Sequence, residues 1–192
     1  GTAGSERVGM LVLRTSGNAD VTLADYYIDV RHVTSSSGPL IIMTAPGFLA
    51  DGSERVDFEL SQRLLVQSTR LTLTQDHVMS LAGSDLSVAF AGELITDFET
   101  DSLTYDMTST IAGNGGSVTV DLSARNDALE GEIRHNTRRI ANIDGTFDAP
   151  LFTDANGQPL EIGQREGIRD LFDAVDALLE LAAGIFATSE AE

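Results

Sequence analysis

From residue 86 to 147 apolar and polar residues alternate with a period of two, in five successive segments, and few folds satisfy that pattern. Leu86, Val88, Phe90 and Leu94 share one face, as do Leu103, Tyr105, Met107 and Ile111, then Val118, Val120 and Leu122, then Leu129 and Ile133, then Ala141, Ile143 and Phe147. The other face reads Thr104, Asp106, Thr108, Thr110, Thr119, Asp121, Ser123, Glu130, Glu132 and Arg134. A period of two places successive side chains on opposite faces of a strand, so each segment is half-buried. The connectors are short and carry turn residues: 97–102, then Asn114-Gly115-Gly116, Asn126-Asp127 and Asn136-Thr137. Short connectors join antiparallel neighbours, which makes this block a meander.

The upstream pattern is less regular. Phe58, Leu60, Leu64 and Val66 alternate with Asp57, Glu59, Arg63 and Gln67, and Leu71 and Leu73 continue after a break near Ser68. Val21 and Leu23 are out of phase with Tyr26, Ile28 and Val30, which predicts a β-bulge at Ala24-Asp25. Residues 10–13 and 40–43 are short unbroken apolar runs, the pattern of strands covered on both faces. The expectation is nine or ten strands, and a sheet of that size curls into a barrel or half-barrel to hide its edges.

After Pro159 the period changes. Positions 168/175/182, 171/178/185 and 172/179/186 recur every seven residues as Ile168, Val175, Ala182, Leu171, Leu178, Ile185, Phe172, Leu179 and Phe186. This predicts an amphipathic helix over 164–187 with a broad apolar stripe, Gly163 as its N-cap and acids near its N-terminus favouring the dipole. The fold class is thus all-β with one helix: an antiparallel meander capped by a C-terminal α-helix. Residues 1–6 are small and polar and read as a flexible linker, 7–187 as a single domain, and 188–192 as a polar tail. Many antiparallel strands followed by one helix resembles lipocalin-like barrels and the open half-barrels of envelope lipoprotein carriers in architecture alone. The lipocalin Gly-x-Trp signature is absent, as the chain has no Trp.

Charge narrows the partners. All twelve basic residues are Arg, against thirty Asp plus Glu, for a net charge of −18. Binding to nucleic acid or anionic lipid needs clustered cations to neutralise phosphates, so nucleic acid is excluded as a partner. No uncharged stretch is a spanning helix: residues 33–50 contain Gly38, Pro39 and Pro46. The absence of Cys removes disulfides, thiolate metal sites and cysteine nucleophiles.

Enzyme signatures are missing. His32, His77 and His135 lie far apart without metal-ligand spacing, and there is no nucleophile elbow or phosphate loop. No cofactor is expected. Asp97, Glu99 and Asp101 alternate, so an extended backbone places their carboxylates on one side, as a calcium site requires; a solvated hairpin tip has the same pattern. The run Asp154-Ala155-Asn156-Gly157-Gln158-Pro159 begins like a calcium loop but has Pro where that loop needs its glycine and lacks the closing acid, and reads as an Asn-Gly turn. Arg134, Arg138 and Arg139 concentrate positive charge beside His135, suited either to an anionic ligand or to neutralising Glu130, Glu132 and Asp144 across strands.

The functional expectation is a non-enzymatic bacterial cell-envelope or surface domain, exported to the periplasm or cell surface and lipoprotein-like. It binds a hydrophobic or amphiphilic small ligand, or an envelope protein, where the helix meets the sheet. Its candidate lining is Tyr105, Met107, Ile133 and Phe147, with Arg134 or His135 orienting a polar head. The rival expectation is an assembly module that self-associates through its helix, and an enzyme comes third.

Overall fold

The computed structural model describes residues 2–16, 19–51 and 54–187. Gly1 and the polar tail expected over 188–192 lie outside the described residues. Eleven strands form one antiparallel sheet in strict sequence order: β1 (Thr2–Ser16), β2 (Ala19–Ser35), β3 (Gly38–Asp51), β4 (Glu54–Val66), β5 (Arg70–Leu81), β6 (Ser87–Asp97), β7 (Ser102–Gly113), β8 (Gly116–Arg125), β9 (Ala128–His135), β10 (Arg138–Thr146) and β11 (Ala149–Asp154). The helix α1 (Ile162–Ala187) follows. The meander expected over 86–147 is present, and the other described strands extend the same topology.

The sheet does not close. Among the described residues β1 pairs only with β2 and β11 only with β10, so the closed-barrel form of the expectation is corrected to an open sheet with α1 packed on its inner face. Three local expectations also change. Thr2, Gly4, Ser5 and Glu6 pair with β2, where a linker was expected. The predicted bulge falls at Leu23, where Val12 pairs with Ala24 but Leu13 pairs with Thr22. Phe147, read as an inner residue, occupies the β10–β11 turn and is 49% exposed, because the ladder ends at Thr146–Ala149.

Register explains the core. One transverse line of cross-strand partners runs Ala45–Leu60–His77–Phe90–Ser109–Val120–Ile133–Ala141 over eight strands. None of the eight is more than 2% exposed. Over this line α1 lays Leu171, Val175, Leu178, Ala182, Ile185 and Phe186, all buried. The helix packs against β3, β5 and β6, while Phe172 meets Phe152 of β11 edge-on and Phe186 reaches the His77 ring. The seven-residue recurrence therefore marks the stripe that the sheet buries.

The helix starts two residues earlier than its periodicity predicts. Glu161, not Gly163, is the N-cap: its N–H donates to Gln164 Oε1 at 2.9 Å, half of a capping box, and Arg165 N–H returns to the Glu161 carbonyl at 3.1 Å. No acid lies in the first turn, so the expected dipole complement is absent there.

The turns lock the register. Asn126 and Asn136 have φ of 53° and 55°, a left-handed conformation that Asn tolerates. Each reaches back across a strand: Asn126 N–H donates to the Leu103 carbonyl and its Oδ1 accepts from Leu103 N–H, at 2.7 and 2.9 Å. Asn136 makes the same pair of bonds with Ser117, at the same two distances.

Candidate functional site

The outer face, opposite α1, is organised by the same ladder. One cross-strand row reads Thr74–Glu93–Asp106–Ser123–Glu130–Asp144, and its neighbour reads Asp76–Ala91–Thr108–Asp121–Glu132–Asn142. Both rows line an open concavity of about 840 Å³ spanning β5 to β10. Beneath them lies the row Gly92–Met107–Leu122–Gly131–Ile143. Two of its five members are glycine, and a Cβ at Gly131 would sit 2.3 Å from the Asp121 carbonyl oxygen. Glycine allows the close strand approach there and so contributes to the hollow above.

Seven carboxylates line the hollow, from Asp76, Glu93, Asp106, Asp121, Glu130, Glu132 and Asp144, with Arg139 as the lining cation. Three pairs of like charge face each other directly: Glu93 with Asp106, Asp121 with Glu132, and Glu130 with Asp144. Arginines at the margin relieve part of this. Arg125 holds Asp106 at 3.1 Å, and Arg134 bridges Asp121, at 3.2 Å, and Glu132. Ser123 Oγ donates to Asp106 at 2.6 Å and Thr108 Oγ1 to Asp121 at 2.7 Å. The Ser123 hydrogen bond first, and then Arg125, hold the Asp106 carboxyl below the usual carboxylate range. Among the described residues Asp76, Glu93, Glu130 and Asp144 make no ion pair. Beyond Asp144 the first row continues to Leu151, 58% exposed.

The residues expected to line a ligand site do not converge. Ile133 and Met107 are buried core side chains. Tyr105 points to the same inner face, its hydroxyl 3.5 Å from Met107 Sδ, and burial together with Asp176 of α1 pushes its pKa up. Arg134 lies on the outer face among carboxylates, His135 is exposed at the end of β9, and Phe147 is in a turn. Arg134 thus acts as the cross-strand neutraliser, with Asp121 as a partner that the linear sequence did not reveal.

At the tip after β6, Asp97 accepts from the Glu99 and Thr100 N–H groups and from Arg70. These bonds, led by that of Thr100, depress its pKa. Asp101 takes a left-handed φ of 50°, so the alternation of Asp97, Glu99 and Asp101 does not describe an extended backbone. Asp154 Oδ1 likewise accepts from Asn156 and Gln158 N–H, organising the Asn-Gly turn. Among the described residues no three acidic or His side chains form a metal-holding group, and no helix is long and apolar enough to cross a membrane.

No family model, curated protein or solved structure matches the chain.

Proposed function

We propose that this chain is a non-enzymatic binding domain whose outer face receives a basic segment of a protein partner. One observation carries the reading: three like-charged pairs stand in register on one concave face. Like charges directly opposed across a sheet destabilise it, by about 0.2–1 kcal/mol each, whereas a bound cation converts the repulsion into attraction. Glu93, Glu130 and Asp144 suit a Lys or Arg side chain, and exposed Leu151, the cross-strand partner of Asp144, offers an apolar anchor beside them. Self-association through the helix has less support, because its apolar stripe is buried within its own chain. An exported, cell-surface setting is part of the proposal, and a net charge of −18 keeps such a domain soluble where salt screens repulsion.

The test is calorimetric titration with a short Lys/Arg-rich peptide carrying one Leu. Binding is expected to weaken as salt rises, and to weaken strongly in the double variant Glu93→Gln, Glu130→Gln. A control double variant at the β6–β7 tip, Glu99→Gln with Asp101→Asn, removes the same charge and is expected to bind like the parent. Equal weakening in both variants would reduce the effect to net charge and refute the site.

A further inference from the structure

Where α1 begins its passage over the sheet, it leaves a second, smaller hollow of about 290 Å³ lined by Phe152 of β11 and by Arg165, Ile168, Arg169 and Phe172 of α1. Its floor is apolar: Phe152, Ile168 and Phe172 are partly buried, and the two rings meet edge-on with centroids 6.1 Å apart. The two arginines lie four residues apart and so project from the same side of the helix.

These guanidinium groups have no carboxylate partner, as is true also of Arg31, Arg63 and Arg138 among the described residues, but only these two stand together at an apolar hollow. Arg7, Arg55, Arg70, Arg125, Arg134 and Arg139 each pair with a carboxylate. Arg165 and Arg169 make no ion pair among the described residues, although Glu161, Glu166, Asp170 and Asp173 are near in sequence. Arg165 is also on the first helical turn, where the dipole disfavours a cation. Its Nε donates to the Leu160 carbonyl at 2.9 Å, which fixes the base of the guanidinium and leaves its terminal N–H groups to other acceptors. An anion placed there would meet two guanidinium forks and the positive end of the helix, with an apolar wall beside it.

We propose that this hollow binds a small anionic amphiphile, its head on Arg165 and Arg169 and its apolar body against Phe152, Ile168 and Phe172. The volume lies just below the usual range of ligand pockets, so the fitting body is a short or medium acyl chain. This site is on the opposite side of the sheet from the acidic concavity and does not depend on it.

The experiment titrates the full chain with decanoate, decyl phosphate and decanol below their aggregation concentrations, followed by NMR shifts and calorimetry. Saturable binding of decanoate or decyl phosphate is expected, and the stronger of the two identifies the head group. Decanol is expected to bind roughly tenfold or more weakly for want of the charged hydrogen bonds. The double variant Arg165→Gln, Arg169→Gln, with unchanged circular dichroism, is expected to lose a similar factor for the anions and nothing for decanol. Absence of saturable binding by both anions, or equal affinity of the parent and the double variant, would overturn the proposal. Because both substitutions are on exposed side chains, titration with the basic peptide remains intact if only the amphiphile site is wrong.

Discussion

His77 on β5 stacks against Phe90 on β6, with ring centroids 6.0 Å apart and planes 19° from parallel. Phe186 from α1 packs against it at 6.3 Å, Gln75 Nε2 lies 3.5 Å from its Nε2, and among the described residues its buried Nδ1 has no hydrogen-bond partner. A protonated imidazole would be a charge in a nearly apolar setting. Burial pushes the His77 pKa below its ordinary 6.5, opposed by the backbone and charge of Asp76. Its flanking partners Leu60 and Phe90, and the buried stripe of α1, bring no charged group to it.

The sign of the pH dependence follows. A depressed native pKa means that the unfolded chain binds the proton first, so this contribution to stability is complete above pH 6.5 and declines as pH falls toward the native value. The slope is at most about 1.4 kcal/mol per pH unit. Urea unfolding at about pH 7.5 and about pH 5.5 is expected to show this loss in the parent and to show less of it in His77→Leu. The same difference between the two pH values in both proteins would refute the assignment.

Leu178 is fully buried at the centre of the helix stripe. Leu178→Ala is expected to cost about 2–5 kcal/mol, the lost transfer energy plus a residual cavity. Leu181→Ala, on a partly buried neighbour, should cost clearly less. Denaturant titration of both variants checks the ranking.

Asn136 combines a left-handed φ with a two-bond ladder to Ser117. Asn136→Gly keeps the backbone geometry and loses only the Oδ1 bond, whereas Asn136→Ala loses that bond and adds strain. The expected order of stability is parent, then Gly, then Ala, with the Gly step at about 1 kcal/mol. Thermal unfolding of the three proteins reads it directly; an alanine variant as stable as the glycine variant would contradict the strain argument.

Neutralising the outer face is expected to stabilise the free protein. Glu93→Gln and Glu130→Gln each remove one directly opposed like-charged pair, so each should gain about 0.2–1 kcal/mol at low salt, with the gain shrinking as salt screens the repulsion. Chemical denaturation at two salt concentrations measures it. A loss of stability in both variants would show that these carboxylates serve the sheet and not a partner.

Sheet and helix were legible in the linear sequence because each face of each element meets one environment. Val118, Val120 and Leu122 must turn inward together, and Leu171, Leu178 and Ile185 recur because one side of a helix is covered. The asparagine turns were legible for a similar local reason, since a left-handed turn selects residue type. His77 could have been placed by parity with Leu71 and Leu73, but nothing local announced that its ring would end between Phe90 and Phe186.

Tertiary structure alone decided what lies across strands. Glu93, Asp106, Glu130 and Asp144 are scattered over 52 residues of chain and become one row only when four hairpins fix the register. Arg134 takes Asp121 as a partner for the same reason. Whether eleven strands close into a barrel depends on twist and bending accumulated over the whole sheet, a sum of small rotations that no single segment encodes. Period and turn chemistry are properties of neighbouring residues, and so the sequence by itself determined the elements and their order. The open edge, the helix-covered inner face and the acidic hollow depend on distances between residues far apart in the chain, which come into being only when the sheet assembles.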